Sequence, residues 1–110
     1  MLNDILEGLK HPINAVVYDF EGILRKMKIG KMVRRQSWSE KGMCIFLIKG
    51  RKIDYNTFQK FKNNACQAFD PPKDVVIKDH IDMKDANGEY VTGWTPSQED
   101  MLAYDWIALR

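Results

Sequence analysis

Gly93-Trp94-Thr95-Pro96-Ser97-Gln98-Glu99-Asp100-Met101-Leu102-Ala103-Tyr104-Asp105-Trp106 is the most strongly punctuated stretch of the chain, and the rest of the fold is read outward from it. Thr95 stands where a helix N-cap is wanted. Pro96 would follow at the first helical position, where a missing N–H costs nothing, and Gln98 three residues after Thr95 completes a capping box. The spacing predicts a short helix from Pro96 to about Ala103. Residues Asp105 to Leu109 then form a last strand or a tail.

Upstream, Val75, Ile77, Ile81 and Met83 alternate with polar Lys78, His80 and Asp82, the pattern of one half-buried strand, with His80 facing solvent. Asp85-Ala86-Asn87-Gly88 is a hairpin turn, and Glu89 to Thr92 is the returning strand. Before these, Asp54 caps a helix with Phe58, Phe61, Ala65 and Phe69 on one side, ended by Asp70-Pro71-Pro72. Lys49-Gly50-Arg51-Lys52 reads as a basic turn. Met32 to Gln36 and Met43 to Lys49 read as two strands of a hairpin, joined through Ser37 to Gly42.

The first half of the chain begins with a stripe of Leu2, Ile5, Leu6 and Leu9 that predicts a helix ending at His11-Pro12. Ile13 to Tyr18 is a short strand or a packed connector. Asp19 is an N-cap for a second stripe of Phe20, Ile23, Leu24 and Met27, closed by Arg25, Lys26 and Lys28 in its last turn and by Gly30. Helices interleaved with hairpins predict an α+β fold, a small single domain with an antiparallel sheet and three to four helices.

Composition bounds the function. The length of 110 residues suits one domain, and 45 % hydrophobic with 29 % charged residues is ordinary for a globular chain. A net charge of +2, from 17 basic and 15 acidic residues, is too balanced for bulk gripping of a nucleic-acid polymer. Cys44 and Cys66 lack metal or redox spacing, and Cys44 lies in an apolar run where it acts as a small hydrophobe. No apolar run approaches a membrane span, and no leader pattern opens the chain, which predicts a cytoplasmic protein.

Catalytic constellations are thin. There is no glycine-rich phosphate loop, no GxSxG elbow, no HExxH and no zinc spacing, so no catalytic residue, metal or cofactor is expected. The histidines, His11 and His80, are far apart in sequence. Three features suggest binding instead. Arg34-Arg35-Gln36-Ser37-Trp38 places guanidinium groups beside an indole, a pairing that holds a phosphate and stacks a base. In a regular strand only one arginine shares a face with Trp38, and counting back by two favours Arg34. Core tryptophan with surface arginines is the plain alternative. The start of the helix after Trp94 offers free N–H groups, with Ser97 and Gln98 as side-chain donors; a ligand-free capped helix is the plain reading there. Asp105-Trp106 is the third, and its plain reading is an anchor for the tail.

Together these residues form a longer pattern. A helix ends in Lys28-Ile29-Gly30-Lys31, a Val-Arg-Arg strand and Trp38 follow, and Gly42-Met43 opens an apolar strand. Asn87-Gly88, the string from Gly93 to Ala103 and a closing Asp105-Trp106 come later. The pattern resembles the Thoeris anti-defence 2 family of phage proteins over residues 19 to 110, with residues 1 to 18 an added helical extension. The resemblance implies a sponge that binds cyclic ADP-ribose isomers made by host TIR-domain proteins, holds them intact and keeps the downstream effector off. It also implies a homo-oligomer, tetramer favoured, with pockets where subunits meet. Trp38 and Trp94 would then stack on the ligand, and Arg34 or Arg35 would meet its pyrophosphate. Ser97, Gln98 and Asp100 would read ribose or base edges, beside Pro96 of the same motif. Some relatives take up cyclic oligonucleotide signals.

Other readings have their own signatures. A signal-cleaving enzyme would need Asp100 or Asp105 as acid or base. An inhibitor of a host effector would use exposed aromatics such as Tyr18, Tyr55 and Phe69. A nucleic-acid binder would use Lys49, Arg51, Lys52, Lys60 and Lys62, and its binding would fall steeply with salt.

Overall fold

The computed structural model describes residues 16–61 and 74–109. The expected N-terminal helix, Cys66, Phe69 and the Asp70-Pro71-Pro72 stop lie outside the described residues. The fold is α+β, and the domain divides into two compact units, one drawn from residues 1–47 and 81–110 and the other from residues 48–80.

In the larger unit the chain enters at Tyr18, whose N–H and carbonyl both bond to Trp106 (2.8 and 3.1 Å). Among the described residues of this stretch, 16–18, the pairing is a single bridge at Tyr18. Helix α1, Phe20–Lys28, starts as the sequence predicts: the Asp19 carboxylate accepts the Gly22 N–H at 2.8 Å. Its stripe buries Ile23 and Met27 completely. The helix ends in a Schellman motif, with Gly30 N–H donating to Met27 O (2.9 Å) and Lys31 N–H to Lys26 O (3.0 Å). Gly30 takes φ +98° there, a conformation open to glycine at little cost.

Strand β1 (Val33–Arg35) leads into a 3₁₀ helix, Gln36–Lys41, where the sequence suggested only a turn. Strand β2 (Cys44–Ile48) pairs back antiparallel on β1, Val33 opposite Ile45. The remaining strands of this sheet are β5 (His80–Lys84), β6 (Tyr90–Thr92) and β7 (Trp106–Ala108), in the order β6-β5-β2-β1-β7. The β5–β6 hairpin is the predicted one, with the Asp85 carboxylate accepting N–H groups of Asn87 and Glu89 (both 2.9 Å). The tail is a strand: β7 pairs with β1, Arg35 opposite Trp106 and Val33 opposite Ala108.

One face of this sheet carries the core of Ile23, Met27, Val33, Ile45, Met83 and Trp106. Cys44 is buried, and burial raises its thiol pKa, in keeping with a packed small hydrophobe. Helix α3, Gln98–Leu102, is shorter than predicted and begins two residues later.

The smaller unit holds an antiparallel ribbon of β3 (Arg51–Ile53) and β4 (Val75–Ile77), with helix α2, Tyr55–Phe61. Two expectations are corrected here. Arg51 and Lys52 lie in a strand, not a turn, because β4 gives their backbone a partner that local sequence cannot reveal. The single strand from Val75 to Met83 is also divided, into β4 and β5, which belong to different sheets. The break falls at Lys78-Asp79, where the Asp79 carboxylate accepts the Gly50 N–H at 2.6 Å. The odd-numbered apolar residues keep step across this break, so the alternation conceals it. His80, expected to face solvent, is half-buried, and Asp82 is buried and accepts the Gly93 N–H at 3.0 Å.

Asp54 caps α2 as predicted. Its carboxylate accepts the Thr57 N–H (2.8 Å) and hydroxyl (3.0 Å). The backbone bond from Thr57, followed by the hydroxyl bond, lowers the Asp54 pKa below the usual carboxylate value. A lowered folded-state value stabilises the cap fully above an unfolded value of about 3.9 and loses that contribution as pH falls through the folded value. We expect the Thr57 amide to lose hydrogen-exchange protection on acidification below about pH 4, and Asp54→Asn to remove the pH dependence. Protection unchanged to pH 2 would contradict the cap's role.

Candidate functional site

Of the predicted site residues, Arg35, Trp38, Trp94 and Asp100 come together at one corner of the larger unit, and Arg34 does not. The route there begins with Ser97-Gln98-Glu99-Asp100, where a capping box forms. Ser97 Oγ accepts the Asp100 N–H, and Asp100 Oδ2 accepts the Ser97 N–H, both at 3.0 Å. The sequence holds two overlapping boxes, Thr95 with Gln98 and Ser97 with Asp100, and the second is the one used. A carboxylate at the third helical position is a charged acceptor beside the positive end of the helix, a stronger bond than a neutral amide makes. Thr95 and Pro96 therefore lead into the helix and do not begin it.

Asp100 has a second task. Its Oδ1 accepts from Arg35 Nη1 at 3.0 Å, while Arg35 Nε donates to Asp105 Oδ1 at 2.6 Å. Glu99 lies at the 4.0 Å margin of the same guanidinium and is mostly exposed. The Arg35 side chain is only 12 % exposed and that of Asp100 only 16 %, so this pair is shielded enough to matter. The hydrogen bond to Asp105 is the leading cause of a raised Arg35 pKa, opposed by burial and aided by Asp100. The guanidinium carbon also sits 6.0 Å from the Trp106 ring centroid, within cation–π range.

Trp106 is the centre of the corner. It is fully buried, and its Nε1–H donates to Asp100 O at 2.8 Å. Phe20, Trp38 and Trp94 pack around it with centroid separations of 5.6, 5.2 and 6.4 Å. Trp38 and Trp94 meet edge to face at 6.0 Å, and both indoles remain half-buried rather than sealed. Edge-on packing of this kind suits the ring quadrupoles. It also fixes two tryptophans, 56 positions apart in the numbering, as one aromatic surface.

The arginines separate. Arg35 follows Val33 on the core side of β1, and Arg34 lies on the other face, opposite Ile107. Burial is the leading cause of a lowered Arg34 pKa. The count by two from Trp38 favoured Arg34, but the 3₁₀ helix starting at Gln36 ends the alternation, and Arg35 is the arginine that joins the tryptophans. Pro96 is half-buried beside this corner in sequence, and Ser97 and Gln98 are exposed. Asp105-Trp106 stood as the third binding feature, with a tail anchor as its plain reading; what the sequence does not show is its pairing with Arg35, which depends on the β1–β7 register and has no local signal.

The charged groups of the corner are engaged with one another. Its one guanidinium faces two carboxylates that already bond to it, and the Asp100 N–H is taken by the cap. What remains open to a partner is aromatic surface on Trp38 and Trp94 and the exposed donors and acceptors of Thr95, Ser97 and Gln98. Among the described residues, no cluster of His, Cys, Asp and Glu could hold a metal ion, and no helix is long and apolar enough to cross a membrane.

No curated protein matches the chain. The family model of the Thoeris anti-defense 2-like domain (Tad2-like) matches residues 18–109, spanning α1, every strand and the whole aromatic corner. The chain belongs to the Thoeris anti-defense 2-like family and is a Thoeris anti-defence protein.

Proposed function

We propose that the protein is a sponge: it binds a cyclic nucleotide immune signal, a cyclic ADP-ribose isomer first among candidates, and keeps it from the host effector without degrading it. The observation that carries this reading is the convergence of Trp38 and Trp94 into one half-buried aromatic surface, with exposed Ser97 and Gln98 following Trp94 in the chain, within a domain of an anti-defence family. Stacking on an aromatic is worth about 1–3 kcal/mol per base, and nanomolar retention needs about 12 kcal/mol in all. The remainder comes from burying the ligand, which a homo-oligomer with pockets between subunits provides; a tetramer is favoured. Sequestration requires affinity and no transition-state stabilisation, so it needs no poised acid, base or nucleophile.

In this reading Trp38 and Trp94 stack on the ligand's rings, and Pro96, Ser97 and Gln98 line its edge. Arg35 and Asp100 border the same surface, with Arg35 held by its two carboxylates. Arg34, on the opposite sheet face, stands apart from the surface within one chain and contributes to a pocket from a neighbouring subunit. The residues ahead of the matched domain, 1–17, are an N-terminal extension, and the protein works in the cytoplasm of the infected cell.

The test is direct. Purified protein is incubated with cyclic ADP-ribose isomers and a panel of cyclic dinucleotides and trinucleotides, freed of unbound ligand and heat-denatured, and the released material is weighed by mass spectrometry. We expect an intact nucleotide, and we expect Trp38→Ala to weaken its binding at least fivefold, as loss of about 1 kcal/mol or more of stacking requires. A cleaved product would make the protein an enzyme. Release of a cyclic dinucleotide or trinucleotide would keep the sponge and change its signal.

A second reading has its own support. Leu102 and Tyr104 are 74 % and 79 % exposed, and with Asp19 and Phe20 they border a cleft of about 180 Å³. A host effector docked there would be inhibited without any nucleotide, and capture of that effector by nucleotide-free protein would favour this reading.

A further inference from the structure

Strands β5 and β6 pair with Met83 opposite Val91 and Asp82 opposite Thr92. Continued one step, that ladder sets Gly93 against Ile81. Side chains alternate along a strand, so Val91 shares the core side with Met83, and Trp94 would fall on the far side of the sheet. It does not. The amide that meets Ile81 O, at 2.7 Å, is that of Trp94, one residue later than the ladder supplies. One extra residue in one strand is a β-bulge, and here it is headed by Gly93 at φ +82°. The extra residue reverses the alternation. Trp94 therefore packs against the core, edge to face with Trp38 at 6.0 Å.

The diverted Gly93 N–H has its own acceptor, Asp82 Oδ1 at 3.0 Å. Asp82 is only 7 % exposed, the one carboxylate among the described residues to be buried. An acid is costly to bury unless its charge is hydrogen-bonded, and a charged acceptor makes the stronger bond to an amide. Space does not explain the glycine, since a Cβ at position 93 would meet nothing within 4 Å. The demand there is backbone conformation alone, which glycine adopts freely and a β-branched residue resists.

We infer that Gly93 and Asp82 are positioning residues for the stacking surface: the bulge turns Trp94 onto the face of Trp38, and the Asp82 carboxylate holds the bulge. Both act through Trp94. Their effect on ligand retention rests on the sponge reading, whereas their effect on the two indoles does not.

The experiment follows nuclear Overhauser contacts between the Trp38 and Trp94 rings in the isotope-labelled full chain, and nucleotide retention by the same variants. Gly93→Val should lose the ring contacts and weaken retention about fivefold or more, as misplacing one stacking ring requires. Gly93→Asn should keep both, because asparagine tolerates positive φ. Asp82→Ala should weaken the contacts, and Asp82→Asn, whose side-chain oxygen can still accept the Gly93 N–H, should restore most of them. Ile45→Val, a core change on β2, should lower stability and leave the ring contacts intact, which separates positioning from general destabilisation. Dispersed amide spectra show that each variant folds; if Asp82→Ala does not, the two Gly93 variants still decide. Folded Gly93→Val protein with ring contacts at the parent's strength would overturn the proposal, as would lost contacts with retention unchanged. A parent protein with intact ring contacts that retains no nucleotide would count against the sponge reading alone.

Discussion

Trp106→Ala is expected to destabilise the protein by about 3–5 kcal/mol, the range for deleting a large aromatic side chain from a packed core. Several independent contacts meet at this side chain. Its ring is fully buried among Phe20, Trp38 and Trp94, and its Nε1–H satisfies Asp100 O at 2.8 Å. Its backbone joins β7 to Tyr18 on one side and lies opposite Arg35 on the other. Truncation would leave a cavity at the junction of helix and sheet and strand the Asp100 carbonyl. Denaturant unfolding followed by far-ultraviolet circular dichroism measures the loss. Trp106→Phe isolates the hydrogen bond and the lost ring volume, and should cost less than the alanine. A loss under about 1 kcal/mol for Trp106→Ala would mean that the core is not organised around this indole.

The same residue shows what local sequence can and cannot reveal. The helix from Phe20 was legible because cap, stripe and C-terminal glycine all agree within 12 residues, each signal acting over one or two turns. The β5–β6 hairpin was legible for the same reason, since Asp85 makes its bonds within four residues. Strand β3 was not, because Arg51 and Lys52 become a strand only through β4, whose register is long-range. The short helix after Trp94 was placed two residues early, since Thr95 and Ser97 both look like caps and the deciding acceptor is Asp100, whose other oxygen is held by Arg35 from across the sequence. In the candidate site, residue types were readable but partnerships were not. The sequence named both arginines and the motif tryptophans; which arginine joins them depends on a 3₁₀ turn at Gln36. Asp105 gained its role only from the pairing of β1 with β7.

That pairing sets the second large effect. Arg35→Ala is expected to cost about 2–4 kcal/mol, somewhat below the 3–5 kcal/mol for breaking a fully buried ion pair, because the Asp105 side chain is 32 % exposed. The loss is mainly a penalty on what remains: Asp100 and Asp105 would keep their negative charges near each other with the shared cation gone. Arg35→Lys should recover only part of the stability, since one ammonium cannot reproduce the two directed bonds of Nε and Nη1. Adding Asp105→Asn to Arg35→Ala should return some of the lost stability by removing one stranded charge, and a double-mutant cycle reads this coupling. The cycle also separates two roles for Arg35. If it acts by positioning α3 and the tryptophans, ligand retention should recover along with stability in the double variant. If its guanidinium meets the ligand's phosphates, stability should recover while retention stays lost. A cycle with no coupling between Arg35 and Asp105 would remove the ion pair from any account of how this corner is held.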